Sequence, residues 1–255
     1  MLGWLRARRR KKIVAEPIPE AWHRYLDDNV ALARHLDGDS RRRLLERMQV
    51  FIAEKYWEGC GGLELTEEMQ VTIAAQACLL VLGRDDQLYG DVASILVYPS
   101  TLITPPRPLG FFEQPRAPVG HGRTVIGEAM LGGPVVLAWD AVLAGGRGET
   151  LGNVVLHEFA HKLDMATGRI DGTPPLSTKA ERQRWGRVCS AAFARHRART
   201  EAGWPTLMDA YGATNEAEFF AVSTESYFTR PQELAYEHPE LFALLADFYG
   251  LESLN

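Results

Sequence analysis

Residues 153–164 read NVVLHEFAHKLD, which sets His157 and His161 four apart around Glu158. Helical positions four apart project from the same side, so a helix over this stretch presents both imidazoles one turn apart with Glu158 beside them. Two imidazoles so spaced can chelate one ion without bending the backbone. Imidazole nitrogen and carboxylate oxygen suit zinc, one ion per chain, held by three protein ligands with a position left for water. Glu158, not itself a ligand, would take a proton from the attacking water and deliver it to the leaving amine, which is amide hydrolysis. Asp164 lies two turns beyond His157 on the same face. It is placed either to accept a hydrogen bond from a ligand imidazole and fix its tautomer, or to pair with a surface base.

The third ligand is not in this motif. The extended metzincin pattern needs Gly and then His where this chain has Asp164 and Thr167, so that class is excluded. A carboxylate from a later helix is the alternative. The stretch 215–228, NEAEFFAVSTESYF, offers Glu216, Glu218 and Glu225. Glu218 and Glu225 fall on one face, among Phe219, Phe220, Val222 and Tyr227 that would bury it, and a buried carboxylate needs a partner such as a cation. Glu218 has a rival role, because Asn215-x-x-Glu218 reads as a capping box. Spacing alone leaves Glu218 and Glu225 equal candidates.

The elements that must position these groups are legible from periodicity. Residues 40–57 read as a helix capped by Ser40 and stopped by GCGG at 59–62, and a second helix starts at Thr66. Residues 92–99 read as a strand, 99–120 as a proline-rich connector, and RTVIGEAM and GPVVLAWD as two further strands. A glycine-rich loop, AGGRGETLGN, leads to Asn153, which can cap the HExxH helix. Helices follow at about 179–199, 215–229 and from Pro239 to Gly250. Helices, then strands, then helices give an α+β class. The organisation expected is a flexible basic tail over 1–19, a helical part over 20–90, and a metallopeptidase part over 91–255, the last two forming one unit.

Composition narrows the function classes. A chain of 255 residues with 46% hydrophobic content can bury a sizeable core. Its apolar runs are far shorter than the roughly 18 residues of a membrane span, and nothing resembles a secretory signal, so the cytoplasm is the expected address. Cys60, Cys78 and Cys189 show no CxxC spacing, which leaves His and carboxylates to hold any metal. RARRRKK at 6–12 holds six of the 28 basic residues, so the net charge of −5 divides into a basic tail and an acidic body. The tail could touch nucleic acid or anionic lipid, but the acidic body argues against nucleic acid as the main partner.

The segments GCGGLELTEEMQVTIAAQACLLVLG, ILVYPS, GPVVLAWD, NVVLHEFAHKLDMATG and DAYGATNEAEFFAVSTESYF resemble the family of Mlc titration factor A, cytosolic zinc metallopeptidases, from about residue 20 onward. The resemblance implies a zincin-like fold similar to the catalytic domain of anthrax lethal factor, with a small twisted sheet packed on the HExxH helix. It assigns His157, His161 and Glu218 to the metal and Glu158 to catalysis. Glu225, with Asp164, is then a candidate to hydrogen-bond a ligand. Tyr211, seven residues before Glu218, matches a tyrosine thought to stabilise the tetrahedral oxyanion; by itself it is one of eight tyrosines. A monomer is the expected state, and the family further implies aminopeptidase-like action on small peptides. It also implies, as a rival function, sequestration of the transcriptional repressor Mlc, linked to sugar uptake. GPVVLAWD would form either the cleft edge along which an extended peptide pairs or an ordinary core strand. AGGRGETLG departs from the family's more compact polar turn, so the cleft rim is expected to differ.

Overall fold

A computed structural model describes residues 2–84, 89–100, 102–104, 123–125, 127–129 and 132–251. The expected tail is largely helical: α1 spans Leu2–Val14. Arg6 and Arg10, one turn apart, both bond Glu54, and Ile13 and Val14 pack against the core. That anchorage is what a bare charge run does not reveal.

Helix α2 spans Glu20–Asn29 and α3 spans Gly38–Glu54. The cap of α3 is Asp37, whose side chain accepts from the Ser40 N–H; Ser40 is already inside the helix. Strand β1, Tyr56–Gly59, follows where the sequence suggested the helix would continue. Helix α4 spans Glu67–Leu79; it begins as expected at Thr66, whose side chain caps it. Strands β2 (Ser94–Tyr98), β3 (Leu102–Thr104), β4 (Arg123–Val125), β5 (Gly127–Ala129) and β6 (Val135–Ala138) come next. The proline-rich connector expected over 99–120 lies outside the described residues except for 99, 100 and β3.

Strands β1, β2 and β6 run parallel, and β5 closes the sheet antiparallel to β6, in the order β1-β2-β6-β5. Strands β3 and β4 form a separate antiparallel pair. Ile95 and Val97 of β2 alternate inward and lie opposite Val135 and Leu137 of β6, all four fully buried. GPVVLAWD is therefore an inner strand. β6 is flanked on both sides, and among the described residues the short β5 holds the edge.

The glycine-rich loop is also different. Its first residues complete α5, Trp139–Arg147, which ends in a left-handed Gly148. Helix α6, Val154–Met165, carries the HExxH motif, with the Asn153 side chain accepting from the Leu156 N–H at 3.0 Å. Helices α7 (Lys179–Glu201), α8 (Glu216–Thr229), α9 (Pro231–Glu237) and α10 (Pro239–Tyr249) complete an α+β chain with a small mixed sheet.

The inner flank of α6 fixes its position. Leu156, Phe159, Ala160 and Leu163 are buried in one hydrophobic cluster shared by the early helices, the sheet and α8. Burying each of the larger side chains stabilises the fold by about 1.5–3 kcal/mol. Phe159 meets the rings of Phe51 and Tyr89 edge-on, with centroids 5.7 and 4.7 Å away. The opposite flank of α6, with His157, is thereby turned to the cleft between β5 and α8.

Candidate active site

His157 and His161 project from successive turns of α6, and Glu218 meets them from the first turn of α8. His157 Nε2 lies 3.1 Å from Glu218 Oε2, His161 Nε2 lies 3.2 Å from the same oxygen, and the two ring nitrogens are 3.2 Å apart. Asn215 caps α8 by accepting from the Glu218 N–H, but the Glu218 side chain does not return to close a capping box. It is spent on the histidines instead.

The near-equilateral triangle is informative about its centre. Glu225 Oε1 lies 2.7 Å from His157 Nδ1. A carboxylate there accepts the proton of Nδ1, which leaves Nε2 of the neutral ring as a lone pair. His161 Nδ1 is buried without a hydrogen-bond partner among the described residues, so only its Nε2 is engaged. Lone pairs from two imidazoles and one carboxylate thus converge, an arrangement that requires a cation between them. Tetrahedral zinc with ligands at about 2.0–2.1 Å separates them by about 3.3 Å. The donor set fits that ion in kind and in size. With protons as the sole cations, burial opposes charge on His157, but its bonds to Glu218 and Glu225 lift it to about 10. Burial likewise works to raise Glu218, yet the two histidines hold it well below the usual carboxylate range.

Glu158 lies beside the triangle, against the edge strand. Burial raises its pKa, opposed by His157 and His161. The close approach depends on Gly127: a Cβ there would fall 2.7 Å from Glu158 Oε1 and 2.5 Å from Val154 Cγ2. Tyr211 stands across the cleft on a 3-10 turn, Ala210–Ala213, whose first N–H groups are organised by Asp209. Its hydroxyl donates to Glu218 Oε1 at 3.2 Å, and the residue is 44% exposed. A cleft of about 950 Å³ joins these groups, with Gly127 and Ala129 on one side and Leu207, Met208 and Val222 on the other.

A model of the glucose-regulated metallo-peptidase M90 family matches residues 4–250. This chain belongs to that family. As an M90 metallopeptidase it requires a metal, and His157, His161 and Glu218 form a cluster able to bind one. The chain is 35% identical to an uncharacterised protein of Synechocystis, covering 96% of this chain and 89% of that protein. It is 30% identical to Mlc titration factor A of Klebsiella pneumoniae, covering 89% and 84%. The Yersinia pestis protein of the same name is 28% identical, covering the whole of this chain and 92% of its own.

Two carboxylates near the M90 motif differ in their use. Asp164 does not reach a histidine. It is fully buried, and its two oxygens accept from the backbone N–H groups of Gly172 and Thr173 at 2.9 and 2.8 Å. In place of either expected partner, an imidazole or a surface base, Asp164 makes a loop clamp, because the backbone beyond α6 folds back over the helix end. Glu225 makes the imidazole contact, and its second oxygen accepts from the Asn153 N–H at 2.5 Å. One side chain of α8 therefore ties both a histidine and the start of the HExxH helix.

Several participants carried only a weak sequence signal. Asn153 Nδ2 donates to Gln76 Oε1 of α4 at 2.7 Å, and Gln76 Nε2 donates to the Val142 carbonyl at 3.3 Å. A glutamine in an otherwise apolar helical run was the only hint of this link. Gly127 could have been singled out as a glycine inside a strand, which marks a close approach.

Proposed function

We propose that this M90 chain is a zinc-dependent peptidase of zincin-like fold, acting as a cytoplasmic monomer on peptides. His157, His161 and Glu218 are its metal ligands and Glu158 its general base. The observation that carries this reading is the triangle of three lone-pair donors with a buried, proton-avid carboxylate at its side. A zinc ion held there supplies a Lewis acid and lowers the pKa of a bound water to about 7.

The chain's own groups do the rest. Glu158, its proton affinity raised by burial, accepts the water proton and later returns it to the leaving amine. The Tyr211 hydroxyl, facing the same cleft, donates to the carbonyl oxygen as negative charge develops on it. Glu225 holds His157 in the tautomer that binds metal. Among the described residues β5 pairs only with β6, so its outer edge offers backbone groups to an extended peptide. The peptide-pairing edge is thus assigned to β5 in place of the GPVVLAWD strand. The cleft volume suits a few residues, in keeping with aminopeptidase-like action on small substrates.

The test is Glu158→Gln. It keeps one zinc per chain and loses hydrolysis by at least about a hundredfold. Wild-type protein purified without metal, or a Glu158→Gln protein as active as wild type, overturns the reading.

The printed name of the Klebsiella and Yersinia relatives favours a second reading. Here the chain sequesters a transcriptional repressor of the Mlc type, linked to sugar uptake, with catalysis secondary. Capture of purified repressor by Glu158→Gln at wild-type affinity supports it, and no capture by either protein removes it.

A further inference from the structure

Helix α1 has two unlike sides. Arg6 and Arg10 reach Glu54 at 3.3 and 2.7 Å, and Ile13 and Val14 meet the core, so these positions mark the inner side. Trp4, Arg8 and Lys11, at spacings of four and three, form the opposite stripe, flanked by Leu5, Arg9 and Lys12. All six are exposed, Trp4 by 65% and Leu5 by 55%. The Arg8 guanidinium lies 5.5 Å over the Trp4 ring. Among the described residues Arg9 reaches the Ala53 carbonyl alone, at 3.4 Å. Arg8, Lys11 and Lys12 form no ion pair with any described residue. Beyond the single Arg8–Trp4 contact, a helix that holds like charges together and exposes a tryptophan and a leucine beside them gains little from this within the described residues.

We propose that the outer face of α1 docks the protein on an anionic lipid bilayer. Trp4 and Leu5 sit at headgroup depth, and Arg8, Lys11 and Lys12 face the lipid charges. Tryptophan, with an apolar body and a polar N–H, favours the membrane interface, and the cations supply the attraction. Charge complementarity also favours this approach. The remaining 22 basic residues stand against 33 acids, so the body as a whole is repelled from an anionic surface while the α1 side is attracted. Among the described residues no helix is long and apolar enough to cross a membrane, so the contact is peripheral. Nucleic acid would neutralise the same cations, but it gives Leu5 no apolar medium to enter.

The experiment sediments the full chain with phosphatidylcholine vesicles, with and without about one third phosphatidylserine. Each cation near the surface is worth about fivefold in affinity, so Arg8→Gln/Lys11→Gln/Lys12→Gln should weaken binding about a hundredfold. Wild-type binding should vanish near 1 M salt, where the screening length falls to about 3 Å. Trp4→Ala/Leu5→Ala should weaken binding about tenfold and leave the salt dependence intact. None of these side chains makes the Glu54 contact, so unchanged melting temperatures show that the variants are folded. Equal binding to neutral and anionic vesicles, or a triple variant that binds like wild type, overturns the proposal. So does tight binding to a duplex or single-stranded oligonucleotide by a protein that leaves the anionic vesicles in the supernatant.

Discussion

Replacing Glu225 by glutamine removes one charge and exchanges one acceptor for a donor. Glu225 accepts at both oxygens, from His157 Nδ1 at 2.7 Å and from the Asn153 N–H at 2.5 Å. Glutamine can satisfy only one of them, and its amide then points a donor at the other. If it faces the histidine, the ring loses the partner that fixes its tautomer, a change that costs roughly 10- to 100-fold in metal affinity. That is about 1.4–2.7 kcal/mol. If it faces Asn153, the metal is kept but a buried N–H loses its acceptor, at about 1–3 kcal/mol of stability. A loss of 2 kcal/mol lowers Tm by about 4–8 °C in a chain of this size. Competition titration against a chromophoric chelator reads the first effect, and thermal melting of metal-free protein reads the second. Asp164→Asn is the contrast: it removes one acceptor from the Gly172–Thr173 clamp, so it should lower Tm and leave metal affinity within about twofold. A Glu225→Gln protein with wild-type affinity and wild-type Tm refutes the reasoning. So does an Asp164→Asn protein that loses metal.

Three other perturbations address separate parts of the structure. Gly127→Ala places a methyl within 2.7 Å of Glu158 and 2.5 Å of Val154; it should destabilise by about 1–3 kcal/mol and lower kcat in steady-state assays while zinc content stays at one per chain. Tyr211→Phe should reduce kcat by about 10²–10³ with little change in KM, because the lost bond matters as charge develops on the substrate; a proportional rise in KM alone would argue for substrate binding instead. Glu54 is held down to about 2, chiefly by its hydrogen bond to Arg10, against an unfolded value of 4.5. A depressed carboxylate stabilises above the unfolded value, and its contribution is lost as pH falls from 4.5 through 2. Solvent screening of the partly exposed pair limits that contribution to about 1 kcal/mol. Glu54→Gln should therefore flatten the acid limb of stability over this window in urea titrations.

What periodicity and capping residues could convey, the fold repeats. Thr66, Asn153 and Gly250 end helices where their side-chain chemistry or backbone freedom says they should. The discrepancies arise where a residue serves a distant neighbour. Gly145 and Gly146 suggested a loop, yet both lie inside α5; a Cβ on Gly146 would meet the Asn29 carbonyl at 2.5 Å. These glycines allow close packing, and only Gly148 turns the chain. Tyr56 fits the helical period of the preceding residues, but β1 gains its hydrogen bonds from β2, about 40 residues away in sequence. The pattern of GPVVLAWD marks a strand without saying which neighbours it has. At the site, HExxH made the α6 triplet visible. Glu218 and Glu225 could not be told apart by spacing because they lie on the same face of α8, two turns apart, and both reach His157. Only the three-dimensional path of α8 across α6 separates the group that faces Nε2 from the one that faces Nδ1.

The hydrogen bonds from Asn153 to Gln76 and from Asn153 to Glu225, and the approach of His157 to Glu218, each join residues more than 60 positions apart. Contacts of that span form late, because the chain must first spend the entropy of closing long loops. The unfolded polypeptide can offer an ion only the i, i+4 histidine pair, a weak two-armed chelator. The third arm exists once α4, α6 and α8 have docked. Metal affinity then becomes folding free energy by mass action, growing with the logarithm of free ion concentration. Refolding should accordingly be ion-independent until its last step, with the metal acting as a latch on a finished fold and having no part in nucleating it.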